Sequence, residues 1–341
     1  MPTGVAVTES GRIFVNFPRW GDDVPFTVGE IRNGELVAYP TVSINNANGW
    51  TSEERLVSVQ SVVADAKNRL WILDTGSPEF REPVAGGAKL VAVDLATDRV
   101  AETIVLPETV VLPTTYVNDL RLNLRQGEGG VAYITDSSVK GPGGLIVVDL
   151  ATKEAWRRLS GHPSVQADRS FVPIVEGEVL MMRPPDGPAR PFQVAADGIA
   201  LSADGQTLYY SPLSSRHLFS VPTALLSDRS VEDATVAAAV VDLGEKGASD
   251  GLEVDNASRL YATDYENNSV RRRLVDGSWE TVAHDPRLLW PDSLSIGADG
   301  YLYVTANQLH RQPQFNGGQD LREKPYVLFR LQVGAEPEAL K

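Results

Sequence analysis

A strand, a tight turn and a second strand recur six times along this chain, and a repeat of that kind restricts the fold more than any other feature. The clearest copy is Asp197-Gly198-Ile199-Ala200-Leu201, followed by the reversal Asp204-Gly205 and then Leu208-Tyr209-Tyr210. Alternation of apolar residues, an Asp-Gly turn and β-favouring bulk make it a hairpin. In the same frame Asp250-Gly251-Leu252-Glu253-Val254 leads to Leu260-Tyr261, and Asp292-Ser293-Leu294-Ser295-Ile296 leads to Leu302-Tyr303-Val304. Three earlier copies begin at Thr3, Gln60 and Asn118 and return through Ile13-Phe14-Val15, Leu70-Trp71-Ile72 and Ala132-Tyr133-Ile134. Steps of roughly 40–80 residues suit units of about four strands. The chain is therefore read as all-β, a single six-bladed β-propeller domain over residues 1–341, with four-stranded antiparallel blades around a central channel.

Helical periodicity is weak throughout; Leu225-Leu226-Ser227-Asp228 and Pro286-Arg287-Leu288-Leu289 could each make one turn. A net charge of −14 offers no basic stripe to neutralise phosphates, which argues against nucleic-acid and acidic-membrane partners. The one basic cluster, Arg271-Arg272-Arg273, reads as a solvated blade edge. The absence of cysteine excludes disulfides, thiol catalysis and zinc–thiolate sites. No signal peptide or membrane span is visible. The segment from Gly161 to Arg190 is the longest insertion; its Pro and Gly density predicts no regular element, and its length suits a lid or pocket wall. Trp20, Trp50 and Trp71 read as core or rim packing. The last strand, Tyr326–Leu331, closes the ring with minimal strand exchange.

In a propeller the inner strands all start at one end of the channel. The six repeat starts, Thr3, Gln60, Asn118, Asp197, Asp250 and Asp292, should therefore ring one mouth. Three carboxylates in consecutive blades raise one another's pKa or recruit a cation. With only oxygen donors in the ring, a hard ion is favoured, Ca²⁺ first, with Mg²⁺ or Zn²⁺ as alternatives. Asp65, Asp204, Asp255 and Asp299 belong to the hairpin turns instead. The four histidines lack metal-ligand spacing, but His310, after the second strand of the sixth blade, could reach the ring. There is no nucleophile elbow, phosphate loop or dinucleotide fingerprint.

With the repeats in place, the chain resembles the yellow/major royal jelly protein family, six-bladed propellers near the SMP-30/gluconolactonase group. The resemblance rests on Arg69-Leu70-Trp71-Ile72-Leu73-Asp74-Thr75-Gly76, Asn118-Asp119-Leu120, Tyr133-Ile134-Thr135-Asp136, Ser211-Pro212-Leu213-Ser214-Ser215 and Asn307-Gln308-Leu309-His310-Arg311. It implies a secreted or periplasmic protein. The neighbouring lactonase group implies a channel cation held by a Glu, two Asn and an Asp. Asn118 and Asp250 match two of these positions, Asp197 stands where the second Asn would be, and Thr3 replaces the Glu.

These readings predict a metal-dependent hydrolase of a small lactone or ester. Asn118, Asp197 and Asp250 would be the ligands, with Asp250 or Asp292 as general base and Gln60, Thr3, Asn118 and His310 positioning a small-molecule substrate. The alternatives are a dopachrome-converting isomerase, in which a channel carboxylate or His310 moves a proton, and a non-enzymatic binder of a small amine.

Overall fold

Alternating apolar residues around Asx-containing turns shape each repeat into an antiparallel inner hairpin. In the first strand connections of the second and fifth blades, Asp65 and Asp255 each accept backbone N–H bonds two and four residues ahead, at 2.9 to 3.0 Å. Asp204 and Asp299 accept from Gln206 N and Tyr301 N. The computed structural model describes residues 1–46 and 49–338, and in it the inner strands are Gly4–Val7, Val59–Ala64, Val117–Asn123, Ala196–Leu201, Leu252–Val254 and Pro291–Ile296. Each begins within two residues of a repeat start read from the sequence. Five sheets have four strands in simple up-and-down order, and the sixth has three among the described residues. The molecule is a six-bladed β-propeller.

The core lies between blades. Trp71, Leu73, Leu90, Leu120, Ile134 and Ile146 interleave the second and third blades, all wholly buried. Tyr133, Val147, Ile199, Leu208 and Tyr210 do the same for the third and fourth. Each such side chain contributes about 1.5–3 kcal/mol of transfer free energy, so the ring is held by its radial seams. Among the described residues the first and sixth blades exchange no strand. They close through side chains: Val7 N donates to Ser295 Oγ at 3.0 Å and Thr305 Oγ1 donates to Thr3 O at 3.1 Å.

Three expectations need correction. Thr223–Ser227 is a one-turn helix and residues 286–287 make a turn, as read, but Val42–Asn46 and Asp233–Ala238 are helices the periodicity did not signal. Arg271-Arg272-Arg273 lies on the third strand of the fifth blade, inside the sheet, where Arg271 donates to Lys246 O and Arg272 pairs with Glu280. The 161–190 insertion holds two small hairpins, Ile174–Val175 with Glu178–Val179 and Met181–Met182 with Arg190–Pro191. That insertion is nonetheless a wall: Phe171, Val175 and Leu180 pack with Leu213, Tyr265, Trp290, Leu309 and Phe315 into a satellite core above the last three blades.

Candidate active site

A β-bulge places two of the three ring acids, Asp197 and Asp292. In the fourth blade Ala196 pairs with Pro212 and Ile199 with Tyr210, so Asp197 and Gly198 together oppose Ser211 alone. In the sixth blade Asp292 and Ser293 oppose Thr305, and in the third Asn118 and Asp119 oppose Thr135. Gln60 is the extra residue between the Val59 and Ser61 pairs. Two residues against one turns the local strand and re-aims its side chain. In the fifth blade Asp250-Gly251 sits just before the paired strand, and Thr263 Oγ1 accepts from both backbone amides at 3.0 and 3.1 Å. Gly251 is required by proximity, because a Cβ there would stand 2.3 Å from Asp292 O of the next blade.

The first blade has no such bulge, and that overturns one expected contact. Thr3 N continues the ladder to Asn16 O, while the Thr3 hydroxyl donates to Gln60 O at 3.1 Å and accepts from Asn16 Nδ2 at 2.7 Å. Thr3 is fully buried and a seam residue between blades, outside the cavity. His310 is also displaced. Its Nε2 meets Glu176 Oε2 of the insertion at 2.6 Å and its ring lies over Trp290, so it clasps the wall to the sixth blade and does not line the cavity.

Gln60, Asn118, Asp197, Asp250 and Asp292 do come together. They surround a recess of about 10 Å³, room for the centre of one water or ion. Above it opens a cavity of about 760 Å³ that the same five residues floor. Each acid is pinned from behind. Trp290 Nε1 donates to Asp250 Oδ2 at 2.8 Å, Ser137 Oγ to Asp197 Oδ2 at 3.1 Å, and Asn307 Nδ2 to Asp292 Oδ2. Gln60 Oε1 accepts from Tyr116 OH at 2.9 Å, and Tyr116 OH in turn accepts from Trp20 Nε1 at 2.7 Å, a relay that leaves the Gln60 amide N–H groups for the cavity. Asn118 makes no side-chain hydrogen bond among the described residues.

Burial and mutual charge set the electrostatics. Desolvation pushes Asp250 up to about 6, against the donor effect of Trp290. Desolvation, then the Asp250 charge and a hydrogen bond shared with Asp250, hold Asp197 well above the usual carboxylate range. Asp292 is raised by the same burial and by the charges of Asp250 and Asp197. Among the described residues no three His, Cys, Asp or Glu side chains converge on a metal position. A smaller set does fit a hard cation: Asn118, Asp197 and Asp250 all border the ion-sized recess, and two of them are acids with only one oxygen pinned.

The cavity wall holds residues that the repeat did not single out. Trp20 and Phe80 stack at 5.0 Å, and Phe80 meets Tyr116 at 5.0 Å. Trp20 thus belongs to a wall beyond simple rim packing, whereas Trp71 is core as expected and Trp50 is exposed. Tyr116 and Trp290 share a signal that could have found them: each lies two residues before a ring residue, Asn118 or Asp292. A second cavity of about 440 Å³ lies among Val5, Ser61, Asp119, Arg121 and Glu253, where the Asp119 carboxylate is held by Ser61 and Arg121.

Comparison with known proteins adds three findings. The major royal jelly protein family model matches residues 57–334. The protein yellow of Drosophila erecta is 26% identical over 245 residues, 67% of this chain and 42% of that protein, so the chain spans about two fifths of that relative's length. Among solved structures, a calcium-binding regucalcin from Agrobacterium tumefaciens superposes with a TM-score of 0.57 at 14% identity, covering 100% of this chain and 94% of that one. A gluconolactonase from Xanthomonas campestris gives 0.55 at 15% identity over 90% and 83%. At such identities the likeness is one of fold.

Proposed function

The chain belongs to the major royal jelly protein family, and on that premise we propose that its channel mouth is the active site of a hydrolase for a small lactone or ester, dependent on one divalent cation. The observation that carries this reading is the ion-sized recess bordered by Asn118, Asp197 and Asp250, which also line the larger cavity. Those three residues would hold the cation, Ca²⁺ before Mg²⁺. When bound, it would polarise the substrate carbonyl and favour ionisation of water.

The other residues have separate tasks. Asp292, its carboxyl raised by burial and by the Asp250 charge, is the general base that takes a proton from the attacking water. Asn307 and Ser293 fix its orientation. As the ring C–O bond breaks, the same proton returns to the leaving alkoxide, giving a hydroxy acid. Gln60, held by the Trp20–Tyr116 relay, donates to the substrate. The fold likeness to gluconolactonase and regucalcin supports a cation at a propeller mouth only as analogy.

The test is a panel of sugar and aryl lactones, assayed with Ca²⁺, with excess EDTA and after repletion. Hydrolysis lost in EDTA and restored by Ca²⁺ is expected; full activity in EDTA, or none under any condition, refutes the reading. A second reading has its own observation: Trp20, Phe80 and Tyr116 beside an acidic floor make a receptor for a small organic cation. It predicts calorimetric binding of an aromatic amine in EDTA, with no turnover.

A further inference from the structure

The cavity is electrically polarised. Its floor carries Asp197, Asp250 and Asp292, whereas its rim carries Arg81, Lys140 and Arg190 beside Glu79 and Glu82. Arg81 is neutralised by Glu79. Lys140, in the loop after the second strand of the third blade, and Arg190, in the second hairpin of the insertion, have no hydrogen-bond or ion-pair partner among the described residues. With 45 acidic and 31 basic residues the chain has carboxylates in excess, so two cations without one, both lining the same cavity, form an open anion receptor.

We propose that the natural substrate carries a carboxylate at the end remote from its reacting carbonyl, and that Lys140 and Arg190 receive it. The inference rests on the hydrolase reading and deepens it. The acidic floor repels an anion, and the rim attracts one, so a bifunctional molecule enters in a single orientation. A cavity of about 760 Å³ accommodates a substrate of one or two rings between the two ends. Arg190 offers a planar fork suited to carboxylate, and Lys140 a mobile point charge.

A matched pair of probes tests it: dihydrocoumarin bearing a ring carboxylate, and its methyl ester. Both are assayed for hydrolysis and, separately, for binding by calorimetry, on the wild type and on K140M/R190M. Both side chains are surface groups, so the variant keeps its fold, which circular dichroism verifies. The expected result is a preference of about tenfold for the carboxylate in wild type, reduced to parity in the double variant and weakened by salt. Equal handling of the two probes by wild type, or a preference that survives the double substitution, overturns the inference while leaving the hydrolase reading intact. Preferential binding of the carboxylate without turnover upholds only the anion receptor at Lys140 and Arg190 and overturns both the hydrolase reading and the substrate inference built on it. Failure to bind either probe refutes both.

Discussion

Asp250→Asn separates the cost of the acidic floor from its use. In the cation-free protein Asp250 is buried and raised from 3.8 to about 6, so its ionisation at pH 7.5 costs about two pKa units, ~3 kcal/mol. The sign follows directly. A carboxylate raised on folding contributes stability fully present below about pH 4 and lost as pH climbs through about 6. An amide removes that loss. It can accept from only one of the two donors that now face the carboxylate, Trp290 Nε1 and the Asp197 carboxyl, a penalty of about 1 kcal/mol. Relief wins, by ~2 kcal/mol. With ~2.1 cal/mol/K per residue over 341 residues, D250N should melt ~3 °C higher at pH 7.5 in chelator. The advantage should vanish at about pH 4.5 and turn into a deficit of up to ~1 kcal/mol below it. Added Ca²⁺ should reverse the ranking, because only the wild type gains linkage stabilisation, ~2.7 kcal/mol at a hundredfold excess over Kd. Differential scanning calorimetry at four pH values, with and without Ca²⁺, reads all of this. Parallel pH profiles for the two proteins, or an equal calcium response, would falsify the assignment of Asp250.

Three further outcomes are expected. Trp290→Phe deletes the donor that restrains Asp250, so the pH at which calcium affinity is half lost, followed by calorimetry, should rise by roughly one unit; an unchanged midpoint refutes the coupling. Gly251→Ala drives a methyl into Asp292 O, and should cost about 3 kcal/mol in urea unfolding with loss of hydrolysis; wild-type stability would show that the blades do not approach so closely. Thr3→Val leaves one of the two Asn16 amide N–H groups without its acceptor at a buried seam, the other keeping Val59 O, and should lower stability by about 1–3 kcal/mol while leaving kcat/KM and calcium affinity unchanged. A catalytic defect in a folded Thr3→Val protein would return Thr3 to the site.

How much of this was legible follows from where each residue gets its geometry. The ring acids were legible because an Asp or Asn at the start of an inner strand is a local pattern, and six copies in one frame assign a common end of the channel. What the pattern lacks is the pairing partner. A bulge is a difference between two strands, so Asp292-Ser293 against Thr305 reads as a bulge only when both are aligned. Thr3 sits in the same frame with the ladder unbroken, and its side chain turns to the neighbouring seam instead. His310 was misplaced for a different reason. Its position depends on Glu176, 134 residues earlier in an insertion that no repeat describes. The same insertion supplies Arg190, which is why the rim was illegible while the floor was not. Floor and rim are thus under different constraints. The floor is fixed by backbone geometry shared with the fold, where Gly251 and the opposed threonines leave little freedom. The rim hangs on loops whose sequence can change without disturbing a blade. Substitutions at Lys140 and Arg190 should therefore retune which molecule is accepted, whereas substitutions at Asp197, Asp250 or Asp292 should change whether anything is transformed at all.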